Sequence, residues 1–210
     1  MARYAGWKSM VGTMLVWLAV PCASLAAQGG AWHLTATATQ SWFSGGLEDT
    51  NTAEADWSLA PKVAWGVAVD RWFGAVRLGL GLSYLSSNLQ LAGDGITITE
   101  STLDIAQWSV AALVTVPLVR LGEAGAAVSI AGGPVLGVWT LTGEDTRTRA
   151  GGTAMVQVTA PLGQAWHLLA IIGGSVSGSP FNPADLPAEF ETTTLWGSGV
   201  GLGVQYDFSL

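Results

Sequence analysis

Few side chains in this sequence could carry ionic or proton-transfer chemistry, and five of them stand at the ends of strand-like runs. An arginine beside a carboxylate forms an ion pair, and a histidine beside a carboxylate can exchange a proton with it. We expect the arginine to pair with one of the two aspartates, with both histidines nearby. The five residues of this predicted interior polar cluster are His33, Asp70, Arg77, His167 and Asp207.

The cluster has two interpretations. A charge inside a narrow protein interior is costly unless it is paired and hydrogen-bonded, so the residues could form a static plug of ion pairs. The same charges could instead gate or filter a pore. The choice depends on the elements that hold the five residues, and the alternation of side chains along the chain predicts those elements.

Catalysis is not expected. Nucleophilic or acid–base catalysis needs a histidine close to a serine or a carboxylate where the substrate binds. A lipid substrate would sit at the outer leaflet, whereas both histidines map to the opposite ends of their runs. The single cysteine, Cys22, falls in the expected leader, so we expect neither thiol chemistry nor a cysteine-based metal site in the mature chain. No cofactor is expected.

Period-two alternation of large apolar and small or polar residues begins at Trp32 and indicates β-strands with two different faces. Eight such runs follow one another along the chain, and the fourth breaks phase near Gln107, where we expect a bulge or a register change. The runs cover residues 32–42, 57–70, 75–85, 103–116, 125–141, 153–160, 166–176 and 195–208.

The composition favours a membrane barrel. Half of the residues are hydrophobic and 11% are charged, against about 25% charged in soluble domains. Lipid satisfies no backbone hydrogen bonds, so short apolar runs divided by 28 glycines can cross a membrane only as a closed barrel. A soluble lipocalin-like barrel or a β-sandwich would need its bulky apolar face inside. We therefore predict an all-β, transmembrane, antiparallel up-and-down β-barrel of eight strands.

The connections alternate in length. Bacterial outer-membrane barrels have short periplasmic turns and long external loops, and eight runs place both termini in the periplasm. The predicted long loops are residues 44–56, 86–102, 142–152 and 177–194, and the predicted short turns lie near 71–74, 117–123 and 161–164.

Residues 1–26 are expected to be a cleavable signal peptide, which leaves residues 27–210 as the barrel domain. Arg3 and Lys8 provide a basic start, residues 10–20 are apolar, and Ser24, Leu25 and Ala26 offer small residues near the cleavage site. An uncleaved anchor helix is the alternative. Without Arg3 and Lys8, 6 of the 8 basic residues remain against 15 acidic ones, a net charge of −9 that argues against nucleic-acid binding.

Aromatic residues gather at both ends of the runs, as in the interfacial girdles of membrane barrels. The predicted outer girdle consists of Trp42, Trp57, Trp139 and Trp196, and the predicted periplasmic girdle of Trp32, Trp72, Trp166, Tyr206 and Phe208.

The last run ends in alternating apolar and aromatic residues of one parity, Val204, Tyr206, Phe208 and Leu210. This ending resembles the terminal signal that the outer-membrane assembly machinery recognises. Together with the leader and the eight runs, it makes the chain resemble small bacterial outer-membrane β-barrels of the OmpA/OmpX/OmpW type. The resemblance implies an outer-membrane location, contact with lipids including lipopolysaccharide, and assembly by that machinery.

The resemblance leaves the function open. We expect a structural or surface-interaction role, with a narrow pore or carrier for small solutes as the alternative. Glycines on the inward face leave room in the lumen, namely Gly79, Gly81, Gly197, Gly199, Gly201 and Gly203. If large side chains from other strands fill that room, the barrel is closed; the candidates are Leu113, Leu136, Leu169 and Ile171.

Overall fold

The computed structural model describes residues 30–49, 55–93, 96–122, 125–141, 146–186 and 190–209, without the side chains of 49, 55–57, 91–93, 96–103 and 185. The expected leader and Leu210 lie outside these residues. The strands are β1 (Trp32–Gly45), β2 (Glu48–Asp49), β3 (Ala55–Leu59), β4 (Lys62–Phe73), β5 (Val76–Gly93), β6 (Ile96–Leu121), β7 (Ala126–Leu141), β8 (Arg147–Pro161), β9 (Trp166–Ser177), β10 (Phe190–Glu191) and β11 (Leu195–Phe208). A short 3-10 helix spans Pro183–Asp185.

Eight of these strands close into one antiparallel ring in the order β1-β4-β5-β6-β7-β8-β9-β11. The ring closes where β1 pairs with β11, and Trp32 lies opposite Phe208 at one end of that pairing. This arrangement confirms the predicted transmembrane up-and-down barrel of eight strands. Within the described residues no helix is long and apolar enough to span a membrane.

The two faces of the barrel differ as the alternation predicts. On β11, Val200, Leu202 and Val204 point outward and are exposed, whereas the residues between them are glycines that point inward. Outward Val67 and inward Gly66 repeat this pattern on β4. Large apolar side chains on the outside are unfavourable in water but are matched by lipid, so the surface suits a bilayer.

The two ends of the barrel also differ. At one end, here named the short-turn end, residues 74–75, 122–125 and 162–165 connect the strands, and β1 begins and β11 ends. Gly74 has a φ of 61°, a left-handed conformation that glycine adopts without steric cost, which allows the tight turn after β4. The other end is named the long-loop end.

The strands and their pairing differ from the prediction in several places. The predicted loop 86–102 is mostly strand, because β5 continues to Gly93 and β6 begins at Ile96 with four consecutive β-branched residues. The loop predicted for 142–152 is shorter, because β8 already begins at Arg147. The bulge predicted near Gln107 is wrong: the register shifts instead between Asn88 and Leu89 and beside Pro117, which has no N–H to donate.

The inward glycines mostly leave no empty space, because neighbouring side chains lean over them. A Cβ on Gly79 would lie 2.5 Å from the Cβ of Asp70. A Cβ on Gly201 would lie 2.5 Å from Thr39 Oγ1 and 2.8 Å from the carbonyl oxygen of Ala38. At Gly81 the nearest atom would be Leu113 Cδ1 at 3.5 Å, an ordinary contact.

We expect Gly201→Ala to lower the free energy of unfolding by about 1–3 kcal/mol, the usual cost of overpacking. Gly81→Ala is the matched control, because its methyl group would make only an ordinary contact with Leu113 and should change stability by less than about 1 kcal/mol. The measurement is urea unfolding of the refolded barrel in lipid vesicles, followed by tryptophan fluorescence. Equal stability of the two variants would contradict this account.

Candidate functional site

The five residues predicted to form the polar cluster lie together inside the short-turn end. They come from β1, β4, β5, β9 and β11, and His33 lies directly opposite both Asp207 on β11 and Asp70 on β4. The five side chains come together because each has inward parity on its strand. Pairing of the strands places inward residues at the same height in the barrel next to one another. Whether the cluster is a plug or a gate stays a prediction.

Asp207 is shared by the two histidines. Its Oδ1 accepts from His33 Nδ1 at 2.6 Å, and its Oδ2 accepts from His167 Nε2 at 3.0 Å. Each imidazole therefore presents one ring nitrogen to this carboxylate, and Gln205 Nε2 also lies 3.2 Å from His33 Nδ1. His33 is buried, whereas Asp207 is partly accessible. Its carboxylate joins two imidazoles that lie on three neighbouring strands together with it, β1, β11 and β9.

Arg77 connects this group to Asp70. Its Nη1 lies 3.4 Å from Asp70 Oδ1 and donates to Gln205 Oε1 at 3.1 Å, while Gln205 Nε2 donates to Asp207 Oδ1 at 2.8 Å. Trp72 covers the guanidinium, with 5.6 Å from Arg77 Cζ to the ring. Gln205 was missed by the sequence analysis, although its odd number on β11 gives it the same inward parity as Asp207.

Two of the predicted girdle tryptophans point into the barrel. Trp72 has inward parity on β4 and contacts Arg77 and the ring of His33, so it belongs to the polar cluster. Trp139 is 1% exposed and lies in an apolar cluster at the long-loop end. Position at the end of a run suggested lipid contact for both, but parity decides the face in a strand.

The remaining girdle residues follow the prediction in part. Trp42, Trp166, Trp196 and Tyr206 are exposed on the outside, and Phe208 stacks beside Tyr206. Trp32 has outward parity but is covered by Arg71, whose Cζ lies 5.3 Å from its ring. The side chain of Trp57 lies outside the described part. Trp65, Tyr84 and Trp108 also lie outward, as the alternation predicts, although the two predicted girdles do not include them.

A cavity of about 280 Å³ lies above the polar cluster, in the middle of the barrel. Its floor includes Asp70, Arg77 and Gln205. Hydroxyl side chains line the wall of β1, and these are Thr35, Thr37, Thr39 and Ser41. Apolar side chains on other strands line it as well, among them Leu113, Val135, Met155, Leu169 and Ile171.

The candidate filling residues do not close the lumen. Leu113, Leu169 and Ile171 point inward and line the cavity, as predicted, but space remains between them. Leu136 is wrong as a filling residue, because it lies outward on β7 and is exposed to lipid. Three of the four candidates therefore shape an apolar wall around the cavity.

The long-loop end is covered by apolar side chains and one loop. Phe43 and Phe181 pack on a buried cluster that consists of Leu59, Leu89, Ile105, Trp139, Leu141 and Leu195. Arg149 donates to the carbonyl oxygens of Ser179 at 2.6 Å and Phe181 at 3.2 Å, and Arg147 to that of Pro180 at 3.0 Å. The two arginines bind this loop across the mouth.

Arg77→Met should destabilise the barrel by about 3–5 kcal/mol, because it leaves Asp70 as an unpaired charge in a buried site. The double variant Asp70→Leu/Arg77→Met removes both charges and should recover most of that loss. Urea unfolding in vesicles measures both. A gate would give a different pattern, with higher single-channel conductance of Arg77→Met and little loss of stability.

Comparison with known proteins identifies the fold. No protein-family profile and no curated sequence matches the chain. The solved structure of Neisserial surface protein A (NspA) superposes with a TM-score of 0.57 at 11% identity, over 86% of this chain and 100% of that one. AlkL gives 0.53 at 14% (87% and 92%), and OprG from Pseudomonas aeruginosa 0.50 at 14% (87% and 98%). The chain therefore has the fold of the small eight-stranded outer-membrane barrels.

Proposed function

We propose that this protein is an outer-membrane barrel that holds a small, uncharged and largely apolar solute in its lumen, as a narrow carrier does. The observation that carries the proposal is the cavity of about 280 Å³, which lies between the polar cluster at the short-turn end and the apolar cluster at the long-loop end. Ligand sites are typically concave, mostly apolar and supplied with few polar groups. A barrel that only stabilises a membrane needs no such space.

The two walls of the cavity select the chemistry of the solute. Met155, Leu169 and Ile171 can cover an apolar surface, and its burial contributes about 25 cal/mol per Å². Thr37 and Thr39 on β1 offer hydroxyl groups to a single polar substituent. The charge at the floor of the cavity is already paired, because Arg77 lies against Asp70 and Gln205. A charged solute would therefore lose its hydration without gaining an ion pair.

The proposal includes the location and orientation of the chain. Short turns suit the periplasmic side and long connections the outer side, so we place both termini and the polar cluster at the periplasm. The outward apolar belt would contact lipids, including lipopolysaccharide. The alternating residues Val204, Tyr206 and Phe208 support recognition of the last strand by the outer-membrane assembly machinery; Leu210 completes that predicted signal.

A structural or surface-interaction role is the second candidate, and one observation favours it. Strands β5 and β6 stay paired as far as Gly93 and Ile96, so their hairpin extends well past the residues that pair β4 with β1. Such a paired extension offers a ready surface to a partner outside the cell. This role needs no solute in the lumen, which is how the two candidates can be separated.

Met155 provides a built-in probe of the cavity, because residues 27–210 contain no other methionine. We expect benzyl alcohol to shift the ε-methyl NMR signal of Met155 in the refolded mature chain, and benzoate at equal concentration to leave it unchanged. Ala111→Phe should abolish the shift by filling the cavity, since Ala111 lines it. Ala112→Phe, one residue along β6 and exposed outward, is the control. No shift in the folded wild type would favour the structural role.

A further inference from the structure

The loop that follows β9 is bound to the barrel chiefly through its backbone. Besides the three hydrogen bonds from Arg147 and Arg149, Ser179 Oγ donates to the carbonyl oxygen of Gly46 at 2.6 Å and accepts from Phe181 N at 3.1 Å. Ser179 and Pro180 are buried, and Phe181 packs on the apolar cluster. Residues 178–181 are therefore held over the mouth as one unit, here named the lid.

Arg149 stands between the lid and the cavity. Its side chain lines the cavity together with Val176 and Ser177, the residues of β9 from which the lid departs. The same guanidinium holds two lid carbonyl oxygens, with Nε on Ser179 and Nη2 on Phe181. Hydrogen bonds from a charged donor are stronger than neutral ones, and two donors on one planar group fix the orientation of the lid.

The two ends of the cavity differ in how easily they can open. At the floor, Arg77, Gln205 and Asp207 connect side chains of five different strands, and separating them would leave charges unpaired in a buried place. At the lid, the acceptors are backbone carbonyl groups of one loop, and water can replace Arg149 on them once the loop lifts. The lid is therefore the end that opens at lower cost.

We propose that residues 178–181 form a lid over the outer end of the cavity, that Arg149 is its latch, and that a solute reaches the cavity from this side when the latch releases. The inference rests on the proposed carrier function for its solute. The lid itself can be tested without any solute, so the two ideas can fail separately.

The test measures access to a cysteine placed in the cavity. The mature chain is expected to contain no cysteine, and Ser41→Cys introduces one that lines the cavity below Phe43 with little change in size. We expect Arg149→Gln to raise the rate at which N-ethylmaleimide alkylates this cysteine in refolded barrels by roughly tenfold or more, because two charge-assisted hydrogen bonds are lost.

Arg120→Gln is the matched control, because Arg120 is an exposed arginine on β6 at the short-turn end and should leave the rate unchanged. Folding is checked by the change in gel mobility on heating. If Arg149→Gln does not fold, Arg149→Lys, which keeps the charge but offers a single donor group, should give a smaller rise. An alkylation rate in folded Arg149 variants equal to that of the Arg120 control would overturn the proposal.

Discussion

Lipid cannot satisfy a backbone hydrogen bond, and this constraint governs the structure of the whole chain. The strands must close into a ring, and the closure depends on the pairing of β1 with β11, whose partners are at least 150 positions apart in sequence, from Gly45 with Leu195 to Trp32 with Phe208. His33 and Asp207 face each other directly across this seam. The polar cluster therefore lies where the first and last strands of the barrel meet. Its hydrogen bonds stabilise the pairing of these two strands.

The interior follows from the same closure. Eight strands enclose a space just wide enough for side chains, so each inward residue matters. Charged and amide side chains fill the short-turn end, and apolar side chains with the lid fill the other. Between them, Thr37 and Thr39 lean over inward glycines of β4 and β11, and the remaining space is the cavity. The cavity thus lies between two ends of different chemistry.

The sequence predicts the barrel, its eight strands and the grouping of five polar residues, because period-two alternation carries over directly into the two faces of a sheet. The girdle prediction is wrong for Trp72 and Trp139, because it used their position at the end of a run and not their parity, which makes them face inward. The predicted run 57–70 is also interrupted, because β3 ends at Leu59 and β4 begins at Lys62, and Leu59 is buried in the apolar cluster. The three prolines of the loop after β9 predict an ordered cover over the mouth, but the sequence does not show how it is held, since its hydrogen bonds join Arg149 to carbonyl groups 30 and 32 positions away.

The central claim is that the middle of the barrel is a largely apolar compartment suited to a small solute, and xenon tests it directly. An apolar cavity stays dry and binds xenon, whereas a polar one fills with ordered water. Crystals of the refolded protein under xenon pressure should show a xenon atom among Leu113, Met155, Leu169 and Ile171. A continuous file of ordered water from Arg77 to Arg149, with no xenon bound, would contradict the account.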